Sequence, residues 1–85
     1  MDTIFKITMA AARTNANLSQ QEMAERLGMS RGSYIRLEQG KDIIKLDLAI
    51  LFAQITGIPF QYINFFSHEH QLKVEKSKSD QIAEL

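Results

Sequence analysis

Cysteine is absent from this chain. That absence excludes a disulfide framework and structural thiolate zinc sites, and it fits a reducing compartment. No apolar run approaches the roughly 20 residues that cross a bilayer, and Met1–Thr8 carries no signal-peptide pattern. The expectation is a soluble, cytoplasmic protein with no membrane partner. There is no Gly-rich phosphate loop and no nucleophile elbow, and no pair of carboxylates sits at a plausible pocket. These absences set an enzyme aside, and no cofactor is expected. With 85 residues there is room for one core, only modestly stabilised by its own burial.

An excess of charge of one sign is lacking as well, since ten Lys/Arg balance ten Asp/Glu. Phosphate binding favours a basic surface, so net charge by itself does not suggest nucleic acid. The distribution is uneven, however. Residues 1–45 hold seven basic against five acidic side chains, and residues 46–85 hold three against five. A local basic patch in the first half is compatible with these counts.

Glycine and proline are few, and all but Gly32 fall as punctuation, at Gly28, Gly40 and Gly57–Ile58–Pro59. Between them the apolar spacing is helical. Phe5, Met9, Ala12 and Ala16 share one face, with Thr8 placed to cap a helix running to about Thr14. Ile4–Phe5–Lys6–Ile7, rich in β-branched residues, also suits a short strand. Ser19–Gln20–Gln21–Glu22 is a capping box opening a second helix that buries Met23, Ala24 and Leu27 and ends at Gly28. Ser30 caps a third helix, which turns Tyr34 and Leu37 inward and ends at Gly40. A fourth, from about Leu46 to Thr56, is apolar almost all round. Leu46, Ala49, Ile50 and Ala53 form one stripe with Phe52 beside it, expected to face the core. Leu48, Leu51 and Ile55 form a second stripe that needs other cover. Pro59 suits the first turn of a fifth short helix through about Asn64. The expected fold is all-α, with five short helices in one domain over 1–66 and a polar tail over 67–85.

Two capped helices joined by a tight turn at Gly28–Met29, with the small Ala24 permitting close crossing, make a helix-turn-helix pattern. Residues 5–66 resemble the lambda-repressor/Cro-type helix-turn-helix family, also called the XRE family. The resemblance is carried by Leu18–Ser19–Gln20, Met23–Ala24, Leu27–Gly28, Ser30–Arg31, Arg36–Leu37–Glu38, Gly40–Lys41 and the stretch Leu46 through Gly57. The opening Ala11–Leu18 is similar to small regulators of phages and mobile elements of Gram-positive bacteria. The resemblance implies a lambda-repressor-like domain that binds duplex DNA and regulates transcription, most simply as a repressor. It also implies that Arg13 and Glu38 form a partly buried structural ion pair between the first and third helices. Gly32 departs from the family, which usually carries a side chain there: either a base contact is missing or the backbone approaches closely.

Helical geometry places Gly32, Ile35 and Arg36 on the side of the third helix away from Tyr34 and Leu37, with Arg31 at its exposed N-terminal end. Arginine bonds guanine O6 and N7 together, which makes Arg31 and Arg36 the candidate base readers. A thymine methyl is the candidate partner of Ile35. Phosphate contacts are expected from Gln20, from Ser30 and Ser33, and from Gln39 and Lys41. For the two serines, plain capping is an equal reading and compatible with the first. His68–Glu69–His70 invites a metal reading, but its histidines are two apart rather than one helical turn apart, and no metal site is expected.

The apolar surface exceeds what one small core uses. A homodimer is expected through Leu51, Ile55, Ile58, Phe60, Ile63, Phe65 and Phe66, matching a palindromic operator. Cover from within the chain, by Ile4–Ile7 or by Leu72 and Val74, is the alternative. Rival functions are an antitoxin with a toxin partner, a restriction–modification controller on the same fold, and a protein-interaction module that touches no DNA.

Overall fold

The computed structural model describes residues 6–65. Phe5, Phe66, the 67–85 tail, His68–Glu69–His70 and the tail residues Leu72 and Val74 lie outside the described residues. In chain order the elements are strand β1 (Ile7–Thr8) and helices α1 (Met9–Asn15), α2 (Gln20–Leu27), α3 (Arg31–Glu38) and α4 (Leu46–Thr56). A 3-10 turn (Phe60–Tyr62) and strand β2 (Ile63–Asn64) follow.

The architecture is all-α, and each helix start reads locally. Thr8 caps α1, its hydroxyl accepting from the Ala11 amide at 3.0 Å. Ser19 and Glu22 form the reciprocal capping box of α2: the Ser19 hydroxyl accepts from the Glu22 amide at 3.0 Å, and the Ser19 amide donates to the Glu22 carboxylate at 2.8 Å. Ser30 caps α3 by accepting from the Ser33 amide at 3.1 Å.

The fifth helix is reduced to the single turn Phe60–Tyr62. Ile63 leaves it in extended conformation, and Ile63–Asn64 pairs in parallel with Ile7–Thr8. Two β-branched residues, Ile7 and Ile63, face each other in that register, and their pairing ties the two ends of the described chain together. This ladder competes with continuing a helix past Tyr62, and it wins because Ile63 is buried where it pairs.

The core is built from Met9, Ala12, Met23, Ala24, Leu27, Tyr34, Leu37, Ile44, Ala49, Phe52, Ala53, Ile63 and Phe65. Phe52 sits at its centre, with no exposed surface, and meets Phe65 edge-to-face at 5.7 Å between centroids. On α4 the expected division of faces is half reversed. Ala49, Phe52 and Ala53 are buried as expected, but Leu46 and Ile50 of the same stripe point outward, 66% and 45% exposed. Leu48, Leu51 and Ile55 of the second stripe pack partly buried against the core. Periodicity cannot choose a face on a helix that is apolar all round. The choice follows from where α1 and α2 lie.

Two residues assigned to a subunit interface are core residues instead. Ile63 and Phe65 are 3% and 9% exposed, held by the strand pair and by Phe52. Leu51, Ile55 and Ile58 are half-buried within the chain, and Phe60 stays exposed, stacked at a tilt on Phe65 at 5.1 Å.

Candidate nucleic-acid interface

The α2–turn–α3 unit owes its shape to its glycines and to Ala24. Gly28 takes φ 75°, in the left-handed region where a side chain costs energy. That lets the Met29 amide return to the Ala24 carbonyl at 3.0 Å and the Gly28 amide to the Glu25 carbonyl at 3.1 Å, the paired bonds of a Schellman ending. Ala24 itself is fully buried, and its small side chain allows α3 to cross close to α2. Gly40, with φ 76°, ends α3 the same way: the Lys41 amide returns to Arg36 at 2.9 Å and the Gly40 amide to Leu37 at 3.2 Å.

With Tyr34 and Leu37 buried against α2, the opposite side of α3 is open. Arg31, Gly32, Ser33, Arg36 and Gln39 are exposed and Ile35 is half-buried, while Lys41 is exposed just past the helix end. A Cβ built at Gly32 meets nothing within 4 Å, so no packing inside the chain demands glycine there. Arg31 pairs with no carboxylate among the described residues. Ser30 donates its hydroxyl to Ser33 Oγ at 3.0 Å while capping α3, which leaves the Ser33 O–H as the outward donor.

Two more of the candidate contact residues are engaged within the chain. Arg36 Nε and Nη2 donate to the two carboxylate oxygens of Asp42 at 2.8 and 3.2 Å. Asp42 holds the Arg36 guanidinium above its ordinary pKa, and Arg36 in turn lowers the Asp42 carboxyl. Gln20 Nε2 donates to Glu38 Oε1 at 3.0 Å, which uses one of the two N–H donors of its amide.

Glu38 is the polar centre behind this surface. Arg13 Nε donates to Glu38 Oε2 at 2.7 Å, and the side chains are only 15% and 7% exposed. The Tyr34 hydroxyl donates to the same carboxylate, and Arg13 Nη1 donates to the Leu18 carbonyl at 2.9 Å. Burial alone would raise the Glu38 carboxyl, but donation by Arg13, Tyr34 and Gln20 outweighs it and holds the group below the usual glutamate range. Burial, and then Glu38 itself, pushes the Tyr34 phenol up beyond any physiological titration. The pair joins α1 to α3, and Gln20 adds the first residue of α2, so all three helices meet at one carboxylate. Sequence reasoning missed Tyr34 as a polar partner, because its burial signals only core. It also missed Asp42, whose position could have been read from Gly40: a Schellman ending returns the next residues to Arg36.

The chain belongs to the helix-turn-helix family, whose model matches residues 9–63, and specifically to its lambda-repressor/Cro, or XRE, type. It is thus a DNA-binding helix-turn-helix regulator. No curated protein and no solved structure matches it. Among the described residues no helix is long and apolar enough to cross a membrane, and no cluster of His, Cys, Asp or Glu could hold a metal ion.

Proposed function

We propose that this protein represses transcription by binding a palindromic operator as a homodimer, with α3 lying in the major groove. The observation that carries this reading is the open outer face of α3, where Arg31 and Arg36 stand beside Gly32, Ile35 and Gln39, with Lys41 at its end. Helix-turn-helix proteins insert this helix into the groove, and the two arginines suit guanine O6 and N7. Ile35 offers apolar surface for a thymine methyl. In this reading Gln20 at the start of α2, Ser30 and Ser33 at the start of α3, and Gln39 and Lys41 beyond its end contact phosphates, which fix register without reading sequence.

Assembly as a dimer is supported by apolar surface that the chain leaves outside. Ile50, Phe60 and Tyr62 are each more than 40% exposed, and Ile50, Ile58, Pro59 and Phe60 line one open groove. The interface of this reading is centred on those residues with Leu51 and Ile55 at its edge, and Ile63 and Phe65 serve it from beneath as core. A toxin partner or a restriction–modification role uses the same DNA-binding surface, and a neighbouring toxin or methylase gene would separate them.

The test is a selection from random duplexes, followed by a mobility shift at stated salt on the selected site and on the promoter of the protein's own gene. A recovered site with two-fold symmetry, bound far more tightly than unrelated duplex, supports the reading. Enrichment of no sequence would leave a protein-interaction module on the same fold.

A further inference from the structure

We propose that Asp42 is a positioning residue for sequence reading: it holds the Arg36 guanidinium side-on, so that its end-on edge is presented to a guanine. The proposal rests on the reading of α3 as the groove helix. Its own ground is the geometry of a single residue pair, made twice over. The backbone brings Asp42 to Arg36, because left-handed Gly40 turns the chain and the amides of Lys41 and Asp42 both approach the Arg36 carbonyl, at 2.9 and 3.4 Å. The side chains then close a fork, with Nε on Oδ2 at 2.8 Å and Nη2 on Oδ1 at 3.2 Å.

A surface ion pair adds little to stability, and this one is about half exposed, at 52% and 50%. Its consequence is orientation. Guanidinium carries five N–H donors. Asp42 takes one on Nε and one on Nη2, which leaves both on Nη1 and one on Nη2. One N–H of Nη1 and the remaining one of Nη2 form the end-on edge that pairs with guanine O6 and N7. A free arginine on an exposed helix face samples many rotamers and reaches phosphates as readily as bases. A carboxylate fixed on its flank removes much of that freedom before DNA arrives, and repels phosphate from the same spot. Arg31, with no carboxylate beside it among the described residues, has no such restraint. The sequence preference set by Arg36 is therefore expected to be sharper than that set by Arg31.

The test measures binding to the duplex the wild-type protein selects, and to single base-pair variants of it, at one fixed salt concentration. The proteins are wild type, Asp42→Asn, Asp42→Glu, Arg36→Ala and the double variant Arg36→Ala with Asp42→Asn. Arg36→Ala identifies the base pair that Arg36 reads. At that base pair Asp42→Asn is expected to lose discrimination by roughly tenfold, within the range one bidentate contact supplies. Its binding to unrelated duplex holds or rises, and Asp42→Glu recovers part of the preference. In the Arg36→Ala background Asp42→Asn changes discrimination no further, because its effect passes through Arg36. Unchanged discrimination in Asp42→Asn overturns the proposal. So does sharper discrimination, which would make Asp42 a mask over Arg36, and so does an equal loss in the Arg36→Ala background. If the wild-type protein selects no sequence at all, the groove reading fails first and takes this proposal with it. That failure shows before any variant is compared.

Discussion

Gln20 and Glu38 are joined amide to carboxylate at 3.0 Å, so the first residue of α2 is tied to the last residue of α3. Glu38 is at the same time the partner of Arg13 on α1. One carboxylate therefore holds three helices in register and orients a side chain placed at a helix N-terminus, where anions are favoured. Fold and candidate surface share this group, and substitutions there test both.

Replacing Glu38 by alanine leaves Arg13 with its charge nearly buried and Tyr34 without its acceptor. Breaking a fully buried pair from one side costs about 3–5 kcal/mol; with Arg13 partly exposed and still donating to the Leu18 carbonyl, the cost is expected at or below the bottom of that range. That is a large share of the stability of so small a domain. Chemical denaturation is expected to show a lowered midpoint, and any loss of DNA binding is expected to follow the loss of folded protein. An unchanged midpoint would show that the pair contributes nothing to holding α1 on α3.

The same group makes stability depend on acid. Glu38 is held below its ordinary carboxylate value in the folded chain, so the unfolded chain takes up a proton first as pH falls. Its contribution is fully present above that value and is lost as pH drops through the lowered folded one. Melting curves from neutral pH down to about pH 3 are expected to fall most steeply in this window, and Glu38→Gln is expected to flatten that part of the profile. An identical acid profile in Glu38→Gln would assign the effect to other carboxylates.

Gly32 has open space where a Cβ would stand, and its φ is not in the left-handed region. Gly32→Ala is therefore expected to stabilise the helix by about 0.5 kcal/mol, the low end for a glycine replaced in a helix, because it sits in the first turn. For a domain of this size that raises the melting temperature by about 2–4 °C. Specific DNA affinity is expected to fall at the same time, since the added methyl occupies the face proposed to meet the groove. A more stable variant with undiminished operator affinity would show that the backbone does not approach DNA at this point.

The basic residues of the surface are expected to separate by role. Arg31→Ala and Arg36→Ala each cost about 1–3 kcal/mol on the selected site and relax preference at particular base pairs. Lys41→Ala weakens all duplexes about equally and lowers the salt dependence by about one unit of slope. Anisotropy titrations at several salt concentrations measure both quantities. If neither arginine variant changes sequence preference, another face of the molecule meets DNA.

What was legible in the sequence is what is local. Ser19 and Glu22 lie three residues apart, and Gly28 and Gly40 stand at helix ends, so the caps and the turn between α2 and α3 could be read without knowing what packs on them. The Arg13–Glu38 pair spans 25 residues and came only from resemblance to a family. The faces of α4 were not legible, because Leu46, Leu48, Ile50 and Leu51 are equally apolar and only the position of its neighbours decides which are covered. A strand near Ile7 was legible from its β-branched neighbours, but its partner β2 was not: two residues on each side make no pattern, and Pro59 pointed to a helix. Engagement of Arg36 by Asp42 was not legible from helical spacing, because the left-handed turn at Gly40 and not the helix brings Asp42 back onto α3.

The reversal of α4 also sets the terms on which dimerisation is tested. The surface free for a second copy is not Ile63 and Phe65, which are buried, but the outward side of α4 with the turn after it. Ile50 is 45% exposed, Phe60 41% and Tyr62 43%. A two-fold interface meets its own patch across the axis, and Ile50, Ile58, Pro59 and Phe60, which line one open groove, are the apolar surface proposed for it. Pairing would place two α3 helices on successive turns of one face of DNA, about 34 Å apart. Ile50→Asp separates this role from folding, because a carboxylate at an exposed position keeps its water in the monomer and loses it only in a dimer. Sedimentation equilibrium at micromolar concentration is expected to give a dimer for the wild type. Ile50→Asp is expected to give a 9.7 kDa monomer with its helical circular dichroism retained and its operator affinity reduced. A wild-type chain that stays monomeric, and binds DNA without cooperativity in protein concentration, would refute the dimer and leave these side chains as ordinary exposed apolar surface.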